Sequence, residues 1–337
     1  MISDRPKAIF ILDPASLDVI YGPHEKEELA KLADFYAPPQ SADSIKSNLS
    51  LLADAEVIFS GWGAPKVDEE FLAAAPKLKA IFYGAGSVRY FVTPAFWERD
   101  ILITHAAQAN GIPVAEYCVG AILLSMKHFW SLTRQTRENK GWVEVGHLRD
   151  VPGNFRSTVG LISVGAIAKK LLELLSAFDL KRLAYCPFLD EEGAKKLNVE
   201  RASIEDVFKR ADVISLHTPD LPSTKGMITG RHFEMMKPGA TFINTARGAV
   251  VREKEMCEVL SRRPDITAVL DVIDPEPPEP DSPVTKLPNV FLTPHIAGSL
   301  GPECQRLGYF MVQEFQRYLA GEPLKYRITK EAFANMA

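Results

Sequence analysis

The chain has 337 residues, of which 46% are hydrophobic and 24% charged, and its formal net charge is −4. This composition is typical of a soluble globular protein, and the length is sufficient for two domains that each bury a core. The slight excess of acidic residues argues against a nucleic-acid-binding protein, because a phosphate backbone attracts clustered cations. We therefore expect no nucleic-acid partner.

No segment of the sequence has the pattern of a secretion signal or of a membrane span. The first apolar run, residues 8–12, is ended by Asp13, and it is shorter than the apolar core of a signal peptide, which has about 7 to 15 residues. The apolar stretch 114–132 contains Glu116 and Lys127, so it predicts a buried helix rather than a bilayer span. We expect a cytoplasmic protein without a membrane partner.

The cysteines are spaced too far apart to suggest a cross-linked or metal-binding protein. There are four, at Cys118, Cys186, Cys257 and Cys304. No two of them form a C-x-x-C pair, so the sequence predicts neither a disulfide framework nor a zinc site, and we expect no metal.

Ten short apolar runs recur along the chain, and helical segments separate them. The runs are residues 7–12, 56–61, 79–84, 101–106, 158–163, 181–186, 212–217, 240–245, 266–271 and 289–294. Several are apolar at successive positions, which is typical of parallel strands covered by helices on both faces. The pattern predicts an α/β fold of doubly wound parallel sheets.

Proline marks two other features of the chain. Pro113, just ahead of the apolar stretch 114–132, suits the first turn of a long helix. The proline-rich run 274–280 predicts a stiff loop, because proline removes backbone donors and fixes φ. Composition by itself does not place a domain boundary.

The end of the run 158–163 has the position of a dinucleotide-binding turn, G-x-G-x-x-G/A. In that turn, backbone N–H groups and a helix N-terminus hold a pyrophosphate. Gly165 occupies the central glycine position and Ala168 the third, but Ser163 replaces the first glycine. A generic strand-to-helix turn explains this motif alone equally well.

In dinucleotide-binding domains, an acidic residue that hydrogen-bonds the ribose hydroxyls is expected about 20 residues after the turn, at the end of the next strand. In this chain Cys186 occupies that position. Asp190 lies four residues later and could reach a ribose, although an exposed loop aspartate is the slightly better interpretation. Because Cys186 has no carboxylate to repel a 2′-phosphate, the sequence leaves both NAD and NADP open as cofactors.

Polar residues end four successive later runs. They include His217, Arg247, Asp271 and His295. Each has a structural explanation when taken singly, such as a buried histidine or a surface ion pair. Four in succession favour a ligand site, because ligands of open parallel sheets bind beyond the carboxyl ends of the strands.

In order and spacing, these residues resemble the NAD-dependent D-isomer-specific 2-hydroxyacid dehydrogenases. The segments that carry the resemblance are residues 83–87, 110–116, 163–168, 215–219, 223–226, 236–239, 244–248, 270–272, 276–278 and 294–298. The resemblance implies a Rossmann-type cofactor domain at residues 107–298, inserted into a flavodoxin-like substrate domain at residues 1–106 and 299–337. It also implies a homodimer built largely on the long helix after Pro113.

The resemblance further implies a set of site residues. Arg247, Glu276 and His295 match the catalytic set: the histidine exchanges the substrate's hydroxyl proton, the glutamate orients the imidazole, and the arginine binds the carboxylate. Arg247 and His295 also belong to the implied substrate-binding set, whose backbone members are Ala85, Gly86 and Ser87. The implied cofactor-binding residues are Ser163, Gly165, Ala166, Ile167, Cys186, His217, Thr218, Thr245, Ala246, Arg247, Asp271, His295 and Gly298.

The activity implied by the resemblance is hydride transfer between NAD(P)H and a small 2-keto acid or D-2-hydroxy acid. Some relatives carry an arginine as a phosphate ligand where this chain has residues 60–63, Ser-Gly-Trp-Gly. A glyoxylate- or hydroxypyruvate-like substrate without a phosphate is therefore favoured. The alternative is a non-enzymatic NAD(H)-sensing, corepressor-like binding protein on the same fold, which only the altered glycine motif favours.

Overall fold

The computed structural model describes residues 5–139, 141–145 and 150–334. The chain divides into two compact units, Met1–Asn110 with Ser299–Ala337, and Gly111–Gly298. Each unit contains one sheet, and every pair of neighbouring strands within these sheets is parallel. The fold is therefore α/β, as predicted.

The first unit has a five-stranded sheet in the order β2-β1-β3-β4-β5. Its strands are β1 (Lys7–Ile11), β2 (Asp34–Phe35), β3 (Val57–Ser60), β4 (Ala80–Tyr83) and β5 (Leu102–His105). Its helices are α1 (Pro14–Ile20), α2 (Pro23–Leu32), α3 (Ala42–Ser47), α4 (Glu69–Ala74), α12 (Gln305–Ala320) and α13 (Lys330–Ala334). The strand order is that of flavodoxin-like domains.

The second unit has a seven-stranded sheet in the order β12-β11-β10-β9-β6-β7-β8. Its strands are β6 (Thr158–Ile162), β7 (Lys181–Tyr185), β8 (Glu200–Arg201), β9 (Val213–Leu216), β10 (Thr241–Asn244), β11 (Thr267–Leu270) and β12 (Val290–Leu292). Its helices are α6 (Phe129–Glu138), α7 (Ala166–Leu174), α8 (Glu191–Lys196), α9 (Ile204–Arg210), α10 (Gly230–Glu234) and α11 (Glu253–Arg262). If β6 is counted as the first strand, the order read from β8 is 3-2-1-4-5-6-7. This is the Rossmann order 3-2-1-4-5-6 with one further strand, β12, at its edge.

Buried apolar residues cover both faces of the second sheet. Along one strand, successive side chains point to opposite faces, and Phe242 and Ile243 of β10 accordingly belong to two different buried clusters. Val213 and Ile214 of β9 divide in the same way. This arrangement explains why the strands are apolar at successive positions, and it leaves their ends as the places for polar side chains.

Each of the ten predicted runs contains a strand. The structure adds two edge strands that the sequence did not predict, Asp34–Phe35 and Glu200–Arg201. A two-residue strand has no measurable periodicity, so no sequence signal was available for either. The run 274–280 contains neither helix nor strand, as predicted.

The long helix differs from its prediction at both ends. Helix α5 (Ala107–Ser125) begins six residues before Pro113, which lies inside it, so the predicted start at the proline is wrong. The first turn forms before the proline is reached, and the N–H of Asn110 donates to the carbonyl of Ala106 (3.0 Å). The predicted single helix over 114–132 is also wrong, because His128 has a left-handed φ of 51° and separates α5 from α6.

Among the described residues, no single helix is long and apolar enough to span a bilayer. Helices α5 and α6 reach the required length and composition only when they are taken together, and the pair bends by 58° at the break.

Candidate active site

Most of the predicted site residues follow the carboxyl ends of strands in the second unit. Ser163 comes directly after β6, His217 after β9, Thr245 after β10 and Asp271 after β11. These strands are parallel and adjacent in the order β11-β10-β9-β6. Their ends therefore meet at one edge of the sheet, which is the ligand-binding edge of open parallel sheets.

His295 and Glu276 form a hydrogen bond at this edge. Nδ1 of His295 lies 2.9 Å from Oε2 of Glu276, and the two side chains are 51% and 40% exposed. A carboxylate can only accept a hydrogen bond, so Nδ1 carries the hydrogen and Nε2 is left to exchange a proton with another molecule. The second carboxylate oxygen, Oε1, accepts from the backbone N–H of Ile273 (3.2 Å), which orients Glu276.

The backbone at His295 is held in a left-handed turn with a φ of 56°. Its N–H donates to the carbonyls of Asp271 (3.1 Å) and Thr293 (3.0 Å). The Asp271 carboxylate, on a residue that is 2% exposed, accepts from the next two N–H groups, those of Ile296 (2.7 Å) and Ala297 (2.9 Å). Asp271 therefore clamps the turn that presents the histidine, and its predicted contact with the cofactor stays a prediction.

The clamp extends to two residues that the sequence analysis did not include in the site. The hydroxyl of Thr293 donates to Oδ1 of Asp271 (2.6 Å), and the hydroxyl of Tyr117 on α5 lies 3.3 Å from Oγ1 of Thr293. A tyrosine in a largely apolar helix was the available signal. It is weak, because buried tyrosines commonly bond to any nearby polar group.

Arg247 lies in a turn that the side chain of Asn244 organises. The side-chain oxygen of Asn244 accepts from the N–H of Ala246 (2.9 Å), and its amide nitrogen donates to the carbonyl of Arg247 (3.1 Å). Nη1 of Arg247 donates to the carbonyl of Ala246 (2.6 Å). The half-buried guanidinium keeps further donors for an anion, because arginine has five N–H groups.

Gly248 brings this turn into contact with the segment that leads to Glu276. A Cβ atom on Gly248 would lie 1.9 Å from the carbonyl carbon of Ile273 and 2.4 Å from the nitrogen of Asp274. Two main chains therefore pack directly against each other here, and only glycine fits. The close approach links the arginine turn to the glutamate through a rigid backbone contact.

The turn after β6 has the geometry of a dinucleotide-binding turn. Ser163 has a left-handed φ of 74° and its N–H donates to the carbonyl of Tyr185 (2.7 Å). Gly165 is the N-cap of α7, and a Cβ atom there would meet nothing within 4 Å. Open space therefore lies in front of an exposed helix N-terminus, and a pyrophosphate fits there because the first-turn N–H groups have no partners within the helix.

Strain at Ser163 gives a testable prediction. We expect Ser163→Gly to raise the free energy of unfolding by up to about 1 kcal/mol, because a side chain in the left-handed region costs about 1–2 kcal/mol and glycine returns only part of this through the entropy of the unfolded chain. Urea denaturation measures the change. Ser176→Gly is the control, since Ser176 is exposed and has no positive φ. Equal destabilisation by both substitutions would contradict the assignment of strain.

The ribose end of the predicted cofactor site has a cysteine where a carboxylate is usual, and the aspartate that follows it caps a helix. Cys186 is half-buried at the end of β7. Asp190 is the N-cap of α8 and its Oδ1 accepts from the N–H of Gly193 (2.7 Å), which agrees with the interpretation as a structural loop residue. The aromatic ring of Phe188, between them, is exposed.

Three other predicted cofactor residues form side-chain hydrogen bonds at the strand ends, and those of Thr218 and Thr245 are buried. Nε2 of His217 lies 3.0 Å from Oγ of Ser215, and burial lowers the pKa of His217 to about 4, so the ring is neutral at neutral pH. Thr218 donates to the carbonyl of Ile162 (3.4 Å). Oγ1 of Thr245 lies 3.4 Å from Sγ of Cys118. Of the remaining predicted cofactor residues, Ala166 and Ile167 are the first two residues of α7, and Gly298 is the last residue of the second unit.

The predicted substrate-binding backbone, residues 85–87, belongs to the first unit and follows β4. Ala85 is buried, and Gly86 and Ser87 are half-buried. The nearest atom to a Cβ on Gly86 would be Nδ2 of Asn110, at 4.0 Å, so the main chain at Gly86 borders open space. Asn110 was not predicted as a site residue. Its Oδ1 accepts from the N–H of Ser299 (2.9 Å), and this bond fixes the side-chain amide with Nδ2 on the side of Gly86.

In the part of the chain that the structure describes, no group of three or more His, Cys, Asp or Glu side chains is placed to hold a metal ion.

Residues 119–297 match the family model of the D-isomer specific 2-hydroxyacid dehydrogenase, NAD binding domain. The chain belongs to this family. The part that matches carries the strand ends described above, and it identifies the second unit as an NAD-binding domain of the D-2-hydroxyacid dehydrogenases. The predicted family and the predicted NAD cofactor are both confirmed at this level.

Similar proteins include dehydrogenases that are named for different substrates. The D-3-phosphoglycerate dehydrogenase of Archaeoglobus fulgidus is 31% identical over 261 residues, which are 77% of this chain and 49% of that protein. The (S)-sulfolactate dehydrogenase of Chromohalobacter salexigens is 31% identical over 258 residues, or 75% of this chain and 82% of that protein. A phosphoglycerate oxidoreductase from Rhizobium etli, of known crystal structure, has a TM-score of 0.80 at 24% identity, with 97% and 99% of the two chains covered. The chain spans about half the length of the phosphoglycerate dehydrogenases that it matches.

Proposed function

We propose that this D-2-hydroxyacid dehydrogenase family member catalyses hydride transfer between NAD(P)H and a small 2-keto acid, and the reverse reaction with a D-2-hydroxy acid. The observation that carries the proposal is the pair of His295 and Glu276, 2.9 Å apart at the strand ends of an NAD-binding domain. We assign the cofactor domain to residues 107–298 and the substrate domain to residues 1–106 and 299–337.

Three side chains have separate roles in keto-acid reduction. When bound, NAD(P)H supplies the hydride that C2 of the keto acid gains. His295 donates a proton from Nε2 to the carbonyl oxygen, so that a hydroxyl group forms. Glu276 holds Nδ1–H and stabilises the positive charge of the ring before the transfer. Arg247 binds the substrate carboxylate as a permanent cation and polarises the carbonyl group.

The residues around α7 fit the dinucleotide that the reaction requires. The backbone of Gly165, Ala166 and Ile167 would hold the pyrophosphate, since the helix N-terminus faces open space and favours negative charge. Ser163, Thr218 and the other strand-end residues would border the rest of the cofactor. In the first unit, the backbone at residues 85–87 is the candidate for a second contact to a carboxylate.

The proposal is tested by binding and turnover in one series. Purified protein is titrated with NADH and NADPH by fluorescence, and then glyoxylate, hydroxypyruvate, pyruvate and phenylpyruvate are added in turn while the nicotinamide absorbance is followed. Oxidation of the cofactor with any keto acid supports the reductase. Tight binding without turnover supports the NAD(H)-sensing binding protein instead, and an absence of cofactor binding would refute both.

Cys186 is the residue we expect to set the preference between cofactors. It neither repels a 2′-phosphate nor hydrogen-bonds ribose hydroxyls as a carboxylate does, so we expect the protein to accept NADH and NADPH with similar affinity. Cys186→Asp should raise the ratio of NADH to NADPH affinity by about tenfold or more, through two hydrogen bonds and charge repulsion. Cys186→Ser is the control of similar size, and an equal change in both variants would contradict the role of charge.

We also propose that the preferred substrate lacks a phosphate group. Residues 60–63, at the end of β3, are Ser-Gly-Trp-Gly and contain no cation, and the first cation of the loop that follows is Lys66. The backbone of this loop is fixed on one side by the N–H of Asp13, which donates to the carbonyl of Trp62 (2.8 Å). Comparison of kcat/KM for hydroxypyruvate and its 3-phosphate ester tests this substrate class, and a preference for the ester would overturn it.

A homodimer is proposed on an apolar surface of the second unit. Exposed apolar side chains are concentrated along α5, α6 and the segment that follows them, namely Leu124, Phe129, Trp142, Val145 and Phe155. Clustered exposed apolar residues mark interfaces. Sedimentation equilibrium should give twice the chain mass of 37.3 kDa, and Phe129→Asp should shift the protein to the monomer. Tyr309→Asp, an exposed aromatic of the first unit, should leave the mass unchanged.

A further inference from the structure

The loop that carries Glu276 is exposed and stiff. We call residues 274–282 the Glu276 loop. Residues 274–281 are exposed except for the half-buried Pro278, whereas Ser282, at one end, and Ile273, just before the other, are buried. Four of its nine residues are proline, which has a fixed φ and no N–H group. The position of Glu276 in such a loop therefore depends on where the two ends are held.

One carboxylate contacts both ends of the Glu276 loop. Oε1 of Glu253 accepts from the hydroxyl of Ser282 (3.2 Å), and the backbone N–H of Asp274 donates to the same carboxylate. Burial raises the pKa of Glu253, and these two hydrogen bonds oppose the shift. Both contacts join Glu253 to the loop on which the proposed catalytic glutamate lies.

We propose that Glu253 is a positioning residue that fixes the two ends of this loop and thereby holds Glu276 against His295. The inference rests on the proposed function, in which Glu276 orients the imidazole that donates the proton. Glu253 does not touch the substrate or the cofactor in this proposal, because it acts through the loop.

Glu253 itself extends from an anchored main chain. It is the first residue of α11. The N–H of Arg252 donates to the carbonyl of Ile228 (2.8 Å), and the N–H of Ile228 donates to the carbonyl of Val250 (3.1 Å). Ile228 and Val250 are both fully buried. A side chain that begins from such a backbone can orient another group, because its own position is fixed by its neighbours.

The direction of the bond between Ser282 and Glu253 follows from the other partner of the hydroxyl. The oxygen of Ser282 accepts from the N–H of Val284 (3.3 Å), and its one hydrogen is left to donate to Glu253. Val284 is 1% exposed and belongs to the same buried cluster as Val259 of α11. This end of the loop is therefore tied to α11 both by packing and by the carboxylate of Glu253.

Two substitutions of Glu253 separate positioning from packing. Gln keeps an oxygen that accepts from Ser282, whereas Leu fills a similar space without an acceptor. We expect Glu253→Leu to lower kcat of keto-acid reduction by about tenfold, the effect of one lost orienting hydrogen bond, with KM and cofactor affinity nearly unchanged. Glu253→Gln should retain most of the activity, and so should the control Glu258→Leu, at an exposed position of α11. Equal losses in the two variants of Glu253 would overturn the inference.

A double-mutant cycle shows whether Glu253 acts through Glu276. In the Glu276→Ala background no carboxylate is left to position, so Glu253→Leu should lower kcat by less than about twofold. Ser282→Ala removes the donor of the same bond, and it should lower kcat as Glu253→Leu does and add little to it. Full additivity of Glu253→Leu and Glu276→Ala would contradict the proposed route through the loop.

A readout without turnover keeps the inference separate from the proposed function. The protein is labelled with 15N-histidine, and NMR at alkaline pH, where histidine is normally neutral, shows which ring nitrogen of His295 carries the hydrogen. His295→Asn assigns the signals. We expect Nδ1–H in the wild type and in Glu253→Gln, and a mixture of the two tautomers in Glu253→Leu, because the tautomer follows the hydrogen bond that the ring makes.

The outcomes of this measurement differ for the inference and for the function. An unchanged tautomer in Glu253→Leu refutes the inference even if keto acids are reduced. A changed tautomer in Glu253→Leu, without reduction of any keto acid by the wild type, supports the positioning role and refutes the function.

Discussion

His295→Asn should lower kcat/KM for keto-acid reduction by about 10²–10⁴-fold, which is the usual contribution of a positioned general acid. Asparagine tolerates the left-handed backbone at this position but cannot donate and regain a proton at neutral pH. The fold should be unaffected, because the two side chains of the hydrogen bond between His295 and Glu276 are half-exposed, and such a bond contributes about 1 kcal/mol or less to stability. The measurement is steady-state kinetics together with thermal unfolding.

Two further variants show whether the effect belongs to the pair. Glu276→Gln keeps an oxygen that can accept from Nδ1–H but removes the charge, so we expect a smaller loss of about 10-fold to 100-fold. His24→Asn is the control, since His24 is exposed on α2 of the first unit, and it should retain full activity. Retention of more than about a tenth of the activity in His295→Asn would remove this histidine from the role of proton donor.

Gly248→Ala should lower the free energy of unfolding by about 3 kcal/mol or more, at the upper end of the usual cost of overpacking. The new Cβ would lie 1.9 Å from the carbonyl carbon of Ile273 and 2.2 Å from its oxygen. Backbone atoms cannot rotate out of the way as a side chain can, so residues 273–276 must move if the protein folds at all. Urea denaturation measures the loss, and any folded variant should also lose activity because Glu276 is displaced.

Gly120→Ala provides the matched control for this substitution. Gly120 lies in α5, and a Cβ atom there would meet nothing within 4 Å. Alanine should therefore raise the free energy of unfolding by about 0.5–1 kcal/mol, because it favours helix over the unfolded chain. If both variants changed stability in the same direction, the collision at Gly248 would not be the cause.

The sequence predicted those parts of the fold and site that depend on neighbouring residues. Ten apolar runs predicted strands because buried parallel strands are apolar on both faces. Polar residues that end β9, β10 and β11 pointed to one edge of a sheet, and the structure brings these ends together. The contact of Glu276 with His295 required more than local pattern, because the two residues are 19 positions apart, and only the resemblance to the dehydrogenase family implied it.

The features that the sequence did not predict depend on tertiary contacts. Gly248 is required by the main chain at Ile273, 25 residues later, and a lone glycine gives no indication of such a partner. The bond from Ser282 to Glu253 links two segments 29 residues apart. Helix α5 begins before Pro113 because its first turn has backbone partners of its own, whereas the usual preference of proline for a first turn pointed to a later start.

The clamp formed by Asp271 has a consequence for the thermodynamics of binding. One carboxylate fixes the turn that presents His295 by accepting from Thr293, Ile296 and Ala297. Restricting the backbone of a residue costs about 1–2 kcal/mol in conformational entropy, and here that cost is met when the domain folds. The half-exposed histidine is therefore presented by a turn that is ordered before any ligand arrives, and less of the binding free energy is lost to ordering the protein.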